Sequence, residues 1–157
     1  MKTLLFCTSY INTPDAWNSR YNRWLKYYKA TNLHHDIIAM IDDGATYLPE
    51  DHGITIAGEK SFPPKDLSGA LLYRFEKRLG RASIKEYPGW WRSFLESVQL
   101  ARHFEADKII HIESDAFLFS QRIIDFLNKT DSGWHVMWSS HYQFPETAIQ
   151  LICKDQF

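Results

Sequence analysis

Cysteine is scarce in this chain: two among 157 residues, Cys7 and Cys153, far apart and in no metal-ligand spacing. That pattern argues against a cysteine-built metal site and fits a reducing compartment. Cys7 sits in an apolar run and reads as a buried small hydrophobe. Excess charge of one sign is also missing. The formal net charge is −1, which gives no electrostatic reason to expect nucleic acid, whose readers are usually strongly basic. Long hydrophobic runs are absent too. None approaches the roughly 20 apolar residues of a membrane span. The apolar stretch after Met1 ends by Tyr10-Ile11-Asn12, too short for a secretory signal. We therefore expect a cytoplasmic protein with no transmembrane segment. No repeat, low-complexity tract or linker divides the chain, so one domain over 1–157 is expected.

Aromatic residues, by contrast, are plentiful at 15 %, with six Trp, eight Tyr and ten Phe. They fill cores and also make platforms on which sugar rings and bases stack.

Strand and helix patterns alternate along the chain. Residues 3–9 form a continuous apolar run suited to a strand buried on both faces. Thr13-Pro14-Asp15 is a helix start signal. Trp17, Tyr21, Trp24, Leu25 and Tyr28 then define one helical face, with Arg20, Arg23, Lys26 and Lys29 opposite. A second strand covers 36–41, and a looser region, 45–65, holds a short strand near 54–56. The spacing of Leu71, Leu72, Phe75 and Leu79 predicts a helix over 67–79, with Arg74, Lys77, Arg78 and Arg81 as a basic stripe. That stripe reads as a solvated face or, alternatively, as a phosphate or acceptor contact. Tyr87-Pro88-Gly89 breaks the chain before the clearest amphipathic helix, which runs from Trp91 to Phe104. A strand over 108–112, a helix over 121–128 capped by Ser120, a strand over 135–139 and a last helix over 147–152 complete the reading. This alternation predicts an α/β sandwich with a mostly parallel sheet.

In an open α/β sheet, ligands bind beyond the carboxyl ends of the strands. Three strand ends are polar here: Thr8-Ser9-Tyr10, Asp42-Asp43-Gly44 and Glu113-Ser114-Asp115. Two carboxylates two residues apart repel unless a cation lies between them. Glu113 and Asp115 are therefore expected to hold Mn²⁺ or Mg²⁺, hard cations that bind oxygen ligands and nucleotide phosphates; the bland alternative is a solvated acidic turn. Asp42 and Asp43 either accept hydrogen bonds from a nucleoside or make an ordinary turn. Thr8, Ser9 and Tyr10 either contact the nucleoside or simply end the strand. Arg92 either pairs with phosphate or lies on the surface. Glu146 is either a general base for an acceptor hydroxyl or a first-turn acid of the last helix. Of Trp90 and Trp91, at least one is expected in the core. His34, His35, His52 and His141 read as surface or loop residues, with His141 weighed as a third metal ligand.

The order of these elements over nearly the whole chain resembles the GT-A glycosyltransferase family, and the segment 90–119 with Glu113-Ser114-Asp115 resembles it most. The family has a Rossmann-like sheet, a polar end to the first strand, an acid after the second and a D-x-D motif after a later one. The motif here begins with Glu. The resemblance thus implies direct metal contact for Asp115, with Glu113 acting through water or through the sugar. It implies transfer of a sugar from a UDP- or GDP-linked donor to a glycan or other hydroxyl acceptor, with Mn²⁺ or Mg²⁺ as cofactor. Family members generally extend further, so the resemblance also implies a domain truncated at its C-terminus. Two rivals stand beside it. A sugar-nucleotide nucleotidyltransferase would show a glycine-rich basic loop after the first strand, whereas 8–15 has no Gly, Lys or Arg. A non-catalytic carbohydrate- or nucleotide-binding module would also suit the aromatic richness.

Overall fold

The structure, a computed structural model, describes residues 1–50 and 53–157; His52 lies outside the described residues. Among these, seven strands form one sheet in the order β3-β4-β2-β1-β5-β7-β6. Strands β1 (Thr3–Ser9), β2 (Ile37–Asp42), β3 (Ile54–Gly58), β4 (Gly69–Arg74) and β5 (Lys108–Ile112) run parallel. The remaining two, β6 (Trp134–Ser139) and β7 (Phe144–Cys153), form an antiparallel hairpin added beside β5.

Every residue of β1 is buried, because helices cover both sheet faces. Leu5 and Cys7 point to one core, with Trp24, Leu25 and Tyr28 of α2 (Asn22–Ala30) and Ile124 and Leu127 of α4 (Gln121–Lys129). Leu4 and Phe6 point to the other, with Phe94, Leu100, Ala101 and Phe104 of α3 (Pro88–Phe104). The result is a three-layer α/β/α arrangement. The first crossover begins as expected: Thr13 Oγ1 accepts the Ala16 N–H at 3.0 Å, capping α1 (Pro14–Ala16), which continues through a π-helical turn at Trp17–Tyr21 into α2. The crossover from β1 to β2 and that from β4 to β5 lie on opposite faces, so the strand order reverses between β1 and β5. A crevice beyond the carboxyl ends opens at such a point.

Two expected helices are strands. Residues 67–79 contain β4 and a loop rather than a helix. Ala70, Leu71, Leu72 and Tyr73 are buried in alternation between the two cores. A short apolar run does not itself distinguish helix from strand. Burying each large apolar side chain stabilises by about 1.5–3 kcal/mol, against helix propensities of at most about 0.7 kcal/mol per residue, so the central sheet position wins. The basic stripe is dispersed accordingly: Arg74 ends β4, while Lys77, Arg78 and Arg81 sit on the loop that follows. Residues 147–152 belong to β7. Leu151 and Cys153 face one core and Ile152 the other, and β5 offers an otherwise bare edge for pairing. Glu146 is consequently a strand residue and not a helix cap; its Oε1 accepts the Ala148 N–H at 3.0 Å. Ser120 precedes α4 as expected, but its carbonyl, not its hydroxyl, takes the Ile123 and Ile124 N–H groups.

Lys108 is fully buried in β5. Its Nζ donates to the carbonyl oxygens of Leu127 at 2.7 Å, Asn128 at 2.8 Å and Thr130 at 3.2 Å. One ammonium thus satisfies the carbonyls left over at the C-terminus of α4, where a cation is also electrostatically favoured.

Candidate functional site

A cleft of about 250 Å³ opens at the crevice between β1 and β5. Thr8, Ser9 and Tyr10 reach it from the end of β1, Glu113 from β5 and Asp43 from β2. Three cations border it: Arg20 from the first crossover, and Arg78 and Arg81 from the loop after β4. Trp90 and Ser93 of α3 close the remaining side.

Each carboxylate has a different environment. Glu113 accepts the Trp90 Nε1–H at 2.6 Å and the Thr8 hydroxyl at 3.3 Å. Burial pushes its carboxyl above the usual range, against the stabilising hydrogen bond from Trp90. Asp115 is exposed and pairs with Arg20 at 3.2 Å, while the same guanidinium donates through Nε to Ser114 Oγ at 2.6 Å. Arg20 therefore supplies positive charge beside the Glu113-Ser114-Asp115 turn.

Asp42 is buried and faces the backbone. It accepts the Ile11 N–H and the Ala45 N–H, each at 2.7 Å, and the Ser9 hydroxyl at 3.4 Å. Burial raises its pKa, and the two backbone donors pull it back. It is thus a staple between the loops after β1 and β2, and it does not line the cleft. Asp43 lines the cleft from beneath. It accepts the Gly80 N–H at 2.7 Å and the Leu79 N–H at 3.3 Å, and pairs with Arg92 at 2.5 Å. Gly89 is needed at this contact, since a Cβ there would overlap the Asp43 carboxylate. Arg92 does not border the cleft. Its guanidinium lies over Phe75, 3.8 Å from the ring centroid, and donates to Asp43 and to the Lys77 carbonyl.

The loop held by Asp43 carries Arg78, whose guanidinium stacks 4.0 Å from the Tyr10 ring centroid. Arg81 donates to the carbonyls of Ser83 at 2.8 Å and Ile84 at 3.1 Å and to the Tyr87 hydroxyl at 2.8 Å. Tyr21, below the cleft, accepts the Tyr10 N–H at 3.0 Å.

His111 is a buried residue that the sequence reading left inside a strand. Its ring is enclosed by Phe6, Phe94 and Trp90, and Nε2 lies 3.7 Å from Glu113 Oε1. Among the described residues neither ring nitrogen reaches a partner at full hydrogen-bond geometry, and the Thr147 backbone, acting as a weak partner, opposes the effect of burial. Burial holds its pKa down to about 3, so the ring is neutral near pH 7.

The structure thus assembles Thr8, Ser9, Tyr10, Asp43 and Glu113 around one cleft, with Asp115 reached through Arg20. It leaves Asp42 and Arg92 as supports. Glu146 borders neither this cleft nor the aromatic one beside it, and His141 lies on the exposed turn between β6 and β7, its ring against Tyr142. Arg20 and Trp90 were the cleft's unforeseen members, while Arg78 and Arg81 belong to the stripe weighed as a phosphate or acceptor contact, and His111 is buried behind the cleft. The nearest signal was that basic stripe, which the loop turns inward. Of the tryptophan pair, Trp90 is half-buried and Trp91 is 54 % exposed.

Among the described residues no group of three His, Cys, Asp or Glu side chains is placed to hold a metal ion. Of the two expected ligands, Glu113 accepts from Trp90 and Thr8, and Asp115 is paired with Arg20 outside the cleft lining, so each carboxylate already has a protein partner. No helix of the described residues is long and apolar enough to cross a membrane. Comparison with protein-family models, with curated proteins and with solved structures gives no match.

Proposed function

We propose that this chain is the nucleotide-sugar-binding domain of a glycosyltransferase. The observation that supports this most is the charge arrangement at the β1–β5 crevice: three arginines, two strand-end hydroxyls and a half-buried carboxylate around one cleft. Guanidinium groups pair with phosphate oxygens in a fork geometry that a single ammonium cannot match. Thr8 and Ser9 line the cleft at the strand end with hydroxyl oxygens that can still accept, and Tyr10 adds a ring already stacked under Arg78. A nucleoside diphosphate would draw chiefly on Arg20 and Arg78, since the Thr8 and Ser9 hydroxyls already donate to Glu113 and Asp42 and Arg81 to its own loop.

In the proposed reaction the bond between the sugar's anomeric carbon and the diphosphate oxygen breaks. A bond from an acceptor hydroxyl oxygen to that carbon forms, and the hydroxyl proton passes to a base. Arg20 and Arg78 stabilise the charge that develops on the departing diphosphate. Asp115 would hold a divalent cation, Mn²⁺ or Mg²⁺, whose chemistry is neutralisation of that same leaving charge. Glu113, fixed by Trp90 and Thr8, acts toward the sugar. It is the carboxylate that borders both clefts, whereas Glu146 borders neither.

Calorimetric titration of UDP and GDP, with and without Mn²⁺, tests this on the wild type and on Asp115→Ala. The expected result is Mn²⁺-dependent binding of one nucleotide that is lost in the variant. Failure of both nucleotides to bind the folded protein in the presence of Mn²⁺ would overturn the reading.

A further inference from the structure

A second, larger cleft of about 730 Å³ adjoins the first and shares Trp90 and Glu113 with it. Its character differs. Trp90, Trp91 and Phe94 form the α3 side, Trp134 and Val136 of the outer hairpin form the other, and Gln150 reaches it from β7. Trp91, Trp134 and Val136 are 54 %, 53 % and 41 % exposed. Large apolar side chains left in the open this way, contiguous and rimmed by polar groups, mark a binding surface.

The geometry points to a carbohydrate ring as the occupant, and, resting on the glycosyl-transfer reading above, we infer that this cleft binds the sugar acceptor. Three observations select that chemistry. First, the cationic lining is slight: Lys85 borders this cleft, whereas three arginines border the other. A phosphate-bearing ligand therefore belongs next door. Second, the ring pairs in contact leave no slot for a planar base, Trp90 and Phe94 being already stacked at 15° with centroids 5.0 Å apart. Trp90 and Trp91 stand at 89° to each other, and Phe94 and Trp134, nearly parallel at 21°, are already packed with centroids 6.4 Å apart. What the cleft offers is the indole of Trp91, which meets Trp90 and Phe94 edge-on at 89° and 77° and is 54 % exposed, a ring on which the C–H face of a pyranose packs. Third, the cleft contains an amide fixed in place. Gln150 Oε1 accepts the Trp134 Nε1–H at 3.1 Å and its amide donates to the Thr147 carbonyl at 3.1 Å, so the side chain is held in one orientation. Glu113 lies at the junction, so a hydroxyl of a ring in the aromatic cleft is delivered to the edge of the nucleotide cleft.

Of the six tryptophan indole N–H signals in a ¹⁵N-labelled sample, those of Trp91 and Trp134 report the aromatic cleft alone, while that of Trp90 is shared by both clefts. The probes are cellotriose, maltotriose, chitotriose and N-acetyllactosamine, with uridine and guanosine as controls. The expected result is that at least one glycan shifts the Trp91 and Trp134 signals, and that Trp91→Ala weakens it about tenfold, the loss of one stacking face. Trp134→Ala repeats the test from the opposite wall. Neither residue borders the nucleotide cleft, so UDP or GDP affinity is expected to stay unchanged in both variants. Shifts of these signals by the nucleosides rather than the glycans would overturn the proposal. So would a folded protein in which no glycan moves them. Glycan binding without nucleotide binding would leave this cleft assigned and remove the donor reading instead.

Discussion

The Asp43 carboxylate, at the end of β2, pairs with the Arg92 guanidinium of α3 at 2.5 Å while also accepting the Gly80 N–H at 2.7 Å. One side chain thereby joins the central sheet, the covering helix and the loop that carries Arg78 and Arg81. Both partners are largely withdrawn from water, with side-chain exposures of 9 % and 23 %. Removing one partner leaves the other charge uncompensated, which costs about 3–5 kcal/mol for a fully buried pair. For Asp43→Ala we expect a loss at the lower end of that range, about 3 kcal/mol, measured by urea unfolding. Arg92→Ala should cost a similar amount, and the double variant less than the sum of the two. Strict additivity would show that the pair carries no coupling.

Glu113 leads to a prediction in which stability and function move in opposite directions. Burial raises its carboxyl pKa in the folded protein. The folded state therefore holds this proton more tightly than the unfolded chain, and Glu113's contribution is fully present below the unfolded carboxylate value. It is lost as pH rises through the higher folded value. At neutral pH the ionised group is a liability to the fold. Glu113→Gln keeps an oxygen that can accept from Trp90 and removes the charge. Its melting temperature should equal or exceed wild type at pH 7, with the advantage shrinking as pH falls through the raised folded value and gone below about pH 4, near the unfolded glutamate value. The proposed sugar transfer should nevertheless be lost. A Gln variant less stable than wild type at pH 7 would show that the ionised carboxylate supports the fold.

Much of this architecture was legible because helices cover both faces of the inner strands. Residues 3–9 and 108–112 read as strands from their apolar runs alone, and Pro88 and the spacing from Trp91 to Phe104 announced α3. The errors came where periodicity is ambiguous. Leu71, Leu72 and Phe75 suit a helix face as well as a strand buried on both sides, and only neighbours distant in sequence decide between them. The site was half legible for the same reason. Thr8, Ser9, Asp43 and Glu113 lie at strand ends, which parallel pairing brings together. Arg20 and Arg78 reach the cleft from a helix side and a loop, and nothing local in the sequence says which way they turn. Lys108 looked like the polar start of a strand, yet its ammonium is bonded to three carbonyls. Lys108→Met should therefore destabilise by about 1–3 kcal/mol, the cost of leaving such buried acceptors unpaired, as read by thermal or chemical unfolding.

His111 gives the opposite pH dependence. Its ring titrates at about 3 in the folded protein because of burial, whereas an unfolded histidine takes its proton near pH 6.5. The stability it contributes is present above pH 6.5 and is lost as pH falls toward about 3. His111→Phe keeps a ring among Phe6, Phe94 and Trp90 and removes the titration. Its unfolding free energy should fall less steeply than wild type between pH 6 and about 4, a comparison that also separates this slope from that of Glu113. Equal slopes in the two proteins would mean that the imidazole is not held neutral.

Arg20 sets a competition within the proposed site. Its guanidinium donates to Ser114 and pairs with Asp115, the carboxylate proposed to hold the metal, and it also borders the nucleotide cleft. In Arg20→Ala the carboxylate is free, so Mn²⁺ affinity measured without nucleotide should rise. The gain should be small, within about fivefold, because the pair is exposed and such pairs are worth at most about 1 kcal/mol. Nucleotide affinity should move the other way and by more, since a guanidinium paired with phosphate makes charge-assisted bonds of about 1.5–3 kcal/mol. Separate calorimetric titrations of Mn²⁺ and of nucleotide in the presence of Mn²⁺ read the two effects independently. Opposite signs would place Arg20 as a counter-ion that exchanges Asp115 for the diphosphate when the donor binds. A nucleotide affinity unchanged by the substitution would leave Arg20 a structural partner of the Ser114–Asp115 turn, and the phosphate contacts would then fall to Arg78 and Arg81.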